Sequence, residues 1–351
     1  MSGFKKLQLM VLAIFSVVLG LSVPVISKAA VANDIGYSVE AKIPQNQIDK
    51  NKSFFDLAMK PGQTETLQTR IYNVTTQNIR VKSQVNTAWT GSSGAINYMS
   101  AAKSYDPSLR YKMSDISRLQ GKQVVTVPAK GSKVVTVKVK MPKSNFNGAI
   151  LGGWYFKRVD RKVTGSVKGA NNITNKYAYV VGMAYTVGKL PNPDLKLGKV
   201  GAGISNYHRG VIANLRNPTA IIVPNLKMTT TITNRDGGKT VGHFTKENVQ
   251  MAPNTGFSYP MLYGKTKLAV GNYHLHMVVK NTDRTWVFDR NFTITRAQAS
   301  KYNKDSVDDP GVNIWLLIGL GALAMLILIL LILLIMYLIR RRRRDDEDNK
   351  E

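Results

Sequence analysis

Apolar and polar residues alternate along most of the chain in short runs that end at turn residues. Residues 36–43, 66–72 and 78–85 show this pattern, and residues 134–141 repeat it after the turn sequence Pro128-Ala-Lys-Gly131. A period of two is typical of a β-strand with one buried face. No long segment has the 3.6-residue period of an amphipathic helix. The pattern therefore predicts an all-β fold built from antiparallel sheets.

A second β-rich region follows an extended linker at residues 189–194. Two prolines flank one residue there, which excludes a helix and favours extended backbone. Asp236-Gly237-Gly238 predicts a hairpin turn between two of the later strands. Further strands are predicted at residues 195–204, 210–215, 221–223, 226–233, 272–279 and 285–294, and a short helical turn at 297–302. We therefore predict two tandem Ig-like antiparallel β-sandwich domains, residues 33–189 and 190–303.

Two landmarks occur once in each region, which suggests one plan used twice. Ile71-Tyr-Asn73-Val-Thr75 matches Leu215-Arg-Asn217-Pro-Thr219, and Pro128-Ala-Lys-Gly131 matches Pro253-Asn-Thr-Gly256. The first region is longer between its landmarks, and the extra residues fall at 91–115. This insertion carries three tyrosines, Tyr98, Tyr105 and Tyr111. Because long loops in compact β-domains are often functional, we predict that the insertion binds a partner.

The pattern changes completely near the C-terminus, where residues 314–339 form an apolar run without a charge. As a helix this run is roughly 39 Å long, and a bilayer core is about 30 Å thick. Trp315 and Tyr337 lie near its ends, at the depth that amphipathic rings favour. A run this long is more typical of a membrane span than of the alternative, a buried core helix. We predict a single transmembrane helix, preceded by a polar stalk at residues 304–313.

Five arginines follow the apolar run directly: Arg340, Arg341, Arg342, Arg343 and Arg344. Basic residues beside a span remain on the cytoplasmic side of a membrane. The arginines therefore predict that the tail, residues 340–351, is cytoplasmic and that the β-domains are extracellular.

The N-terminus predicts a secretory signal peptide over residues 1–32. Lys5 and Lys6 precede an apolar stretch at 7–26, and small residues follow with an A-x-A pattern at Ala30 and Ala32. Cleavage after Ala32 is the first choice and cleavage after Ala30 the second. The alternative is an uncleaved signal anchor, which would give the chain two spans.

Charge and cysteine content narrow the class of partner. The net charge of the chain is +28; the signal peptide contributes +3 and the tail +1, which leaves +24 outside the membrane. An extracellular location argues against nucleic acid, and an anionic wall polymer suits a basic surface better. The alternative is a basic composition that serves solubility alone. The absence of cysteine excludes disulfides and cysteine-bound zinc, and is typical of a Gram-positive envelope protein.

Motifs for catalysis are missing from the sequence, which contains no nucleophile elbow, Walker loop or H-E-x-x-H sequence. His274 and His276 share a strand face, but zinc requires at least a third ligand, so a metal site is only a minor alternative. Asp283 and Asp289, each followed by an arginine, predict solvated ion pairs rather than catalytic acids. We predict a non-enzymatic protein without a cofactor or a metal.

The best binding candidate is an aromatic and basic segment that begins at Trp154. Rings stack on sugar faces, and cationic groups pair with phosphates or carboxylates. The predicted wall-polymer site comprises Trp154, Tyr155, Lys157, Arg158, Arg161, Lys162 and Lys168. The alternative, which we favour for the first ring, is that Trp154 and Phe156 alternate with exposed residues and face one core together.

Several local motifs and their order resemble the WxL-interacting proteins of Gram-positive bacteria. The first region resembles their peptidoglycan-binding domain, and the second, from residue 192 to about 303, resembles their host-binding domain. The supporting motifs are Ile43-Pro-Gln-Asn-Gln47-Ile-Asp49, Phe55-Asp-Leu57, Lys60-Pro-Gly62-Gln63, the strand end at Asn73, and Gly94-x-Ile96-x-Tyr98. The span and its arginine tail complete the layout.

The resemblance implies a membrane-anchored surface protein that engages peptidoglycan and exported WxL-domain proteins. It also implies an alternative function, adhesion to host extracellular-matrix proteins through the second domain. It provides no catalytic residues and no residue-level binding motif. The sequence also lacks the L-P-x-T-G signal for sortase attachment, so the C-terminal helix is the predicted anchor.

Overall fold

A computed structural model describes residues 36–160, 177–309 and 314–348, with side chains described as far as Leu338. The signal peptide predicted at residues 1–32 lies outside this part of the chain. The described residues form two all-β domains and an apolar C-terminal helix, which confirms the predicted fold class.

The first domain is a sandwich of two sheets. Its strands are β1 (Tyr37–Lys42), β2 (Phe55–Ala58), β3 (Thr64–Asn73), β4 (Ile79–Thr87), β5 (Trp89–Thr90), β6 (Ile96–Asn97), β7 (Ser117–Gln120), β8 (Val124–Val127), β9 (Ser132–Lys140), β10 (Gly148–Arg158) and β11 (Ala178–Val187). A short helix, α1 (Met113–Ile116), precedes β7. One sheet has the order β1-β3-β9-β7 and the other β2-β11-β10-β4-β8; β5 and β6 pair separately.

The inward residues of the two sheets form one core, because alternate side chains of each strand point to the same face. Its largest fully buried side chains include Trp154, Tyr185, Phe55 and Phe156. Strand pairing is antiparallel with one exception, since β2 runs parallel to β11.

The second domain repeats the two-sheet plan. Its strands are β12 (Lys196–Ser205), β13 (His208–Asn217), β14 (Val223–Asn234), β15 (Thr240–Met251), β16 (Thr255–Leu262), β17 (Gly271–Lys280) and β18 (Thr285–Ile294). The sheets have the orders β12-β13-β16 and β15-β14-β17-β18, and the 235–239 connection joins β14 and β15 as predicted.

One prediction for this domain was wrong in detail, and two of its strands were missed. The strands predicted at residues 221–223 and 226–233 are one strand, β14, in which Asn225 adopts a positive φ of 54° beside a register shift. Strands β15 and β16 were not predicted. Ten of the twelve residues of β15 are exposed or partly exposed, so buried and exposed positions do not alternate clearly along it.

The paired landmarks are structurally equivalent. The side-chain amide of Asn73 donates to the carbonyls of Gln77, Val127 and Pro128, and its oxygen accepts from Thr75. The amide of Asn217 likewise donates to two carbonyls, and its oxygen accepts from Thr219. Each buried asparagine thus ties a strand end to a neighbouring turn, as the sequence match suggested.

The C-terminal part contains two helices. α2 (Arg296–Lys304) begins at a capping box made by Thr295 and Gln298, and α3 spans Ile314–Asp348. Residues Ile314–Leu338 have a mean hydropathy of 3.2 and none of this segment is buried against the domains, so it is long and apolar enough to cross a membrane.

The predicted stalk, residues 304–313, needs a correction. Lys304 is the last residue of α2, and residues 307–309 are bonded to the second domain. The side chains of Asp308 and Asp309 therefore serve as partners for the domain rather than as part of a solvated spacer.

Candidate functional site

Trp154 lies in the core of the first domain. Its side chain is fully buried, and its ring centroid is 5.2 Å from that of Phe156. Both residues point inward from β10, as their alternation indicated. Trp154 is therefore removed from the predicted wall-polymer surface, because a fully buried ring cannot stack on a sugar.

Tyr155 and Lys157 lie on the opposite, outer face of the same strand and are partly exposed. Lys157 is paired in register with Lys82 of β4, so two ammonium groups extend from neighbouring positions. Arg158 donates to Asp160 over 2.9 Å, which occupies part of its guanidinium. The remaining members of the predicted set, Arg161, Lys162 and Lys168, lie outside the described residues.

The insertion at residues 91–115 packs against the second domain. The amide of Gln250 donates to the carbonyl of Gly94 over 2.7 Å, and the amide of Ala252 donates to Thr90 Oγ1 over 3.0 Å. A small apolar cluster closes this contact; it contains Ala88, Leu151 and Ala252, with Ile96, Tyr98, Ala184 and Ile222 against it. The insertion thus joins the two domains.

The three tyrosines of the insertion have different environments. Tyr98 packs in the apolar cluster, and Tyr111 packs on Phe146 with ring centroids 5.2 Å apart. Both have contacts within the molecule and are partly exposed, so a partner contact at either tyrosine stays a prediction. The ring of Tyr105 lies 5.1 Å from the Lys112 ammonium and is partly exposed. A partner contact at Tyr105 stays a prediction.

An ion pair between the insertion and β13 connects the two domains. Arg216 donates to both carboxylate oxygens of Asp106, over 2.6 and 2.7 Å. Burial by itself would raise the pKa of Asp106, but the bonds from Arg216 and from the amide and hydroxyl of Ser108 outweigh it and lower the pKa to about 2. The pair is thus intact at neutral pH.

We expect acid to loosen the contact between the domains. The pKa of Asp106 lies at about 2 in the folded chain and at an ordinary 3.8 when it is exposed. The stabilisation is therefore complete above about pH 4 and is lost as the pH falls through about 2. Single-molecule energy transfer between labels on the two domains should show separation in this window. Asp106→Asn should show the separation at neutral pH with little pH dependence, whereas identical acid curves for both chains would contradict this role.

An unpaired sheet edge lies on β11, on the side of β2. The carbonyl of Thr186 accepts a hydrogen bond from the Met59 amide on this side, so by alternation Gly182 and Val180 direct their backbone groups to the same side. β2 reaches only as far as Phe55, opposite Met183. Among the described residues, no strand pairs with Gly182 or Val180 at this edge.

An open groove of about 890 Å³ follows this edge. Val39, Ala41 and Tyr179 line its inner side, and Phe54 and Val180 line its outer side. Lys50 and Lys52 stand at the rim, where the Lys52 ammonium lies 5.6 Å from the ring of Phe54 and 2.6 Å from Asp56. The groove therefore combines aromatic rings, ammonium groups and free backbone hydrogen-bonding groups.

Sequence reasoning missed this groove. The signal available was Gly182, an isolated glycine within the apolar run of β11, since such glycines often mark a close backbone approach. The pattern of a single strand does not show which neighbour is missing. That information depends on β2, which is more than a hundred residues away in the sequence.

The histidines of β17 form hydrogen bonds with β18. His276 Nδ1 lies 2.8 Å and His274 Nε2 3.1 Å from Asp289 Oδ1, and all three side chains are solvent-exposed. Hydrogen bonds from His276 and His274 lower the pKa of Asp289. Within the described ranges, no group of three such ligands is arranged to hold a metal ion.

Solved structures that align with this chain share little sequence with it. The Escherichia coli chaperone DraB is 14% identical, with 74% of this chain and 95% of that chain covered and a TM-score of 0.28. A CsuC-CsuE chaperone-tip adhesion subunit complex of Acinetobacter baumannii is 7% identical, with coverages of 64% and 90% and a TM-score of 0.31. TM-scores this low support no conclusion about function. Among curated proteins, no sequence matches this chain.

Family models match both domains of the chain. The model of the WxL Interacting Protein peptidoglycan binding domain matches residues 37–158, and that of the WxL Interacting Protein host binding domain matches residues 168–304. Both are named for binding rather than for catalysis. Together they cover most of the chain, so this protein belongs to the WxL-interacting protein family, with a peptidoglycan-binding domain followed by a host-binding domain.

Proposed function

We propose that this protein is a non-enzymatic surface protein, anchored by α3, whose first domain binds peptidoglycan or an associated anionic wall polymer. In this proposal the N-terminus is extracellular after removal of a signal peptide, and the arginines at 340–344 hold the tail in the cytoplasm. The +24 charge outside the membrane adds salt-sensitive attraction to anionic polymers.

The groove beside β11 carries the proposal. Peptidoglycan consists of sugar chains with short peptide branches, so a site for it needs ring faces, cationic groups and a partner for peptide backbone. Phe54 and Tyr179 offer ring faces, and Lys50 offers an ammonium group, whereas the ammonium of Lys52 is paired with Asp56. The free edge at Val180 and Gly182 offers hydrogen bonds to an extended peptide, as in β-strand addition. Tyr155 and Lys157 extend the surface along the outer face of β10.

Partner recognition forms the second part of the proposal. The family model that matches residues 37–158 is named for WxL-interacting proteins, which supports an exported WxL-domain protein as the partner. The exposed part of the insertion, at Tyr105, is our candidate contact. Crosslinking in intact cells followed by identification of the proteins bound to this chain tests the partner directly. Recovery of no WxL-domain protein would contradict it.

The groove makes a direct prediction about wall binding. Phe54→Ser removes a ring face, and Gly182→Val adds a branched side chain beside the free edge. A Cβ at Gly182 would lie 3.5 Å from Phe54, an ordinary contact, so the fold should tolerate it. We expect each variant to bind purified wall sacculi about tenfold more weakly, which corresponds to about 1.4 kcal/mol. Sedimentation of the whole chain with sacculi at increasing salt measures the affinity.

A matched control separates the groove from general surface hydrophobicity. Val134 on β9 is 36% exposed and Phe54 is 37% exposed, but Val134 lies outside the groove. Val134→Ser should bind sacculi as the parent chain does. Equal loss in Phe54→Ser and Val134→Ser would argue against the groove, and no retention of the parent chain at any salt concentration would refute wall binding altogether.

Adhesion to host matrix is the second candidate function, and the match of residues 168–304 to a host-binding domain model favours it. Binding of the whole chain to immobilised extracellular-matrix proteins tests this function. An adhesin should retain such binding in the Phe54→Ser chain, because that substitution lies in the first domain.

A further inference from the structure

One end of the second domain lies opposite the interface with the first domain. Asn217 and Thr255 are paired at the end that meets the first domain, and Gly210 is paired with Leu262 at the other end. The same other end contains the turns at 206–207 and 235–239 and the connection at 263–270. We call it the basal end.

The chain that leads to the membrane span is fastened to the basal end. Asp308 accepts hydrogen bonds from His208 over 2.6 Å and from the Arg209 amide over 3.0 Å. Asp309 accepts from the Arg209 guanidinium over 2.8 Å, and the amide of Val307 donates to the carbonyl of Tyr207 over 3.0 Å. These hydrogen bonds therefore fix the position of residues 307–309 on the second domain.

The short connection to α3 keeps the basal end close to the bilayer. Four residues, 310–313, separate Asp309 from Ile314, where the apolar helix begins. Five Cα steps span at most about 18 Å. If α3 spans the membrane, the basal end cannot be farther than this from the start of the span.

Exposed apolar side chains concentrate at this end. Tyr207, Leu262, Val270 and Val307 are the exposed large apolar residues located there. In the rest of the described second domain, only Leu190 and Val287 belong to this class. Tyr207 is the most exposed of them, at 73%, and stands at the tip of the β12–β13 turn with a positive φ. Tyrosine is enriched at the headgroup level of membranes.

The same end is basic. Its exposed basic residues are Arg235, Lys239, Lys265, Lys267, Arg296, Lys301 and Lys304. Its acidic residues are Asp236, Asp305, Asp308 and Asp309, and the last two are bonded to His208 and Arg209. Basic residues around exposed apolar side chains favour a surface of anionic lipid, where each charge gains from the negative surface potential.

We propose that the basal end rests on the headgroup layer of an anionic bilayer, with Tyr207 and Val270 in contact with lipid and the lysines over the phosphates. This inference rests on the proposed anchoring by α3 and adds an orientation: the second domain stands on the membrane, and the first domain projects outward. A docked base holds the wall-binding groove at a set height above the membrane.

Two engineered cysteines test the contact, since the chain has none of its own. Val270→Cys lies at the basal end, and Val287→Cys lies on β18 toward the opposite end of the domain; both valines are 55% exposed. Each full-length chain is labelled with a fluorophore and reconstituted in vesicles of phosphatidylcholine with phosphatidylglycerol. Nitroxide groups on the lipid headgroups then quench nearby labels. We expect several-fold stronger quenching at position 270 than at position 287.

Charge variants test the anionic contribution. Lys265→Glu with Lys304→Glu should reduce quenching at position 270 severalfold, as should vesicles of phosphatidylcholine alone. Lys122→Glu with Lys133→Glu, at exposed sites of the first domain, should leave it unchanged. Equal quenching at positions 270 and 287 would overturn the basal contact. Unchanged quenching at position 270 in the chain with Lys265→Glu and Lys304→Glu would also overturn it.

The anchor is measured separately from the basal contact. Flotation of the vesicles after a carbonate wash shows whether the full-length chain is inserted. A chain that does not float refutes anchoring by α3. It also refutes the proposed orientation of the second domain, which depends on that anchor. A chain that floats but shows equal quenching at both labels refutes only the orientation.

Discussion

Replacing Trp154 with alanine should destabilise the first domain by about 3–5 kcal/mol, the range for truncating a large aromatic side chain in a core. The side chain is fully buried, and it packs beside Phe156 between the two sheets. Its loss leaves a cavity that close-packed neighbours cannot fill without strain. Calorimetry of the whole chain should show a lower unfolding temperature for this domain and an unchanged unfolding temperature for the second domain.

Tyr155→Ala is the matched control because Tyr155 is the next residue on β10 and points to the outer face. Its effect on the free energy of unfolding should be much smaller. Binding to wall sacculi should change instead, since Tyr155 belongs to the proposed binding surface. A Trp154→Ala chain that is stable but no longer binds the wall would contradict the core role of Trp154 and would indicate that its ring contacts the wall polymer.

Replacing Arg209 with methionine should destabilise the second domain by about 1.5–3 kcal/mol, because it removes the buried guanidinium that donates hydrogen bonds to three backbone carbonyls. Arg209 has no exposed surface, and its guanidinium donates to Asp309 and to the carbonyls of Gly264, Lys265 and Thr266. Methionine leaves these groups without their donor. It also releases the segment that leads to α3.

Two measurements check this expectation. Thermal unfolding of the full-length chain measures the stability of the second domain, and hydrogen exchange of residues 306–309 measures the release of the connecting segment. Arg290→Met serves as the control, since Arg290 is exposed and, among the described residues, its side chain donates one hydrogen bond, to the carbonyl of Leu197. It should cost about 1 kcal/mol or less. Equal stability of the Arg209→Met and Arg290→Met chains would contradict the role of Arg209 in holding residues 308–309 on the second domain.

The predicted strands agree with the structure where apolar and polar residues alternate clearly within one strand. Side-chain alternation is a local property, so β1, β3 and β18 could be identified from the pattern of a few residues. β15 could not, because its mostly exposed side chains show no clear alternation. The Asn73 and Asn217 landmarks were visible as a repeat, although their hydrogen bonds to distant carbonyls were not.

The candidate site depended more on tertiary structure. Alternation indicated that Trp154 faces the same way as Phe156, yet only the second sheet shows that this direction is the core. The insertion was recognised as extra length, but its contacts with Gln250, Ala252 and Arg216 join residues more than a hundred positions apart. The groove beside Gly182 exists because β2 stops at Phe55, which no pattern within β11 records.

The sequence by itself determined the all-β class, the two-domain order, the family and the apolar C-terminal helix. These properties follow from periodicity, composition and local motifs, which are written along the chain. The tertiary structure decided which face of β10 is open, that the insertion joins the domains, and that Asp308 and Asp309 fasten the exit toward α3. Each of these depends on residues that are distant in sequence, and their pairing is set by the packing of the whole fold.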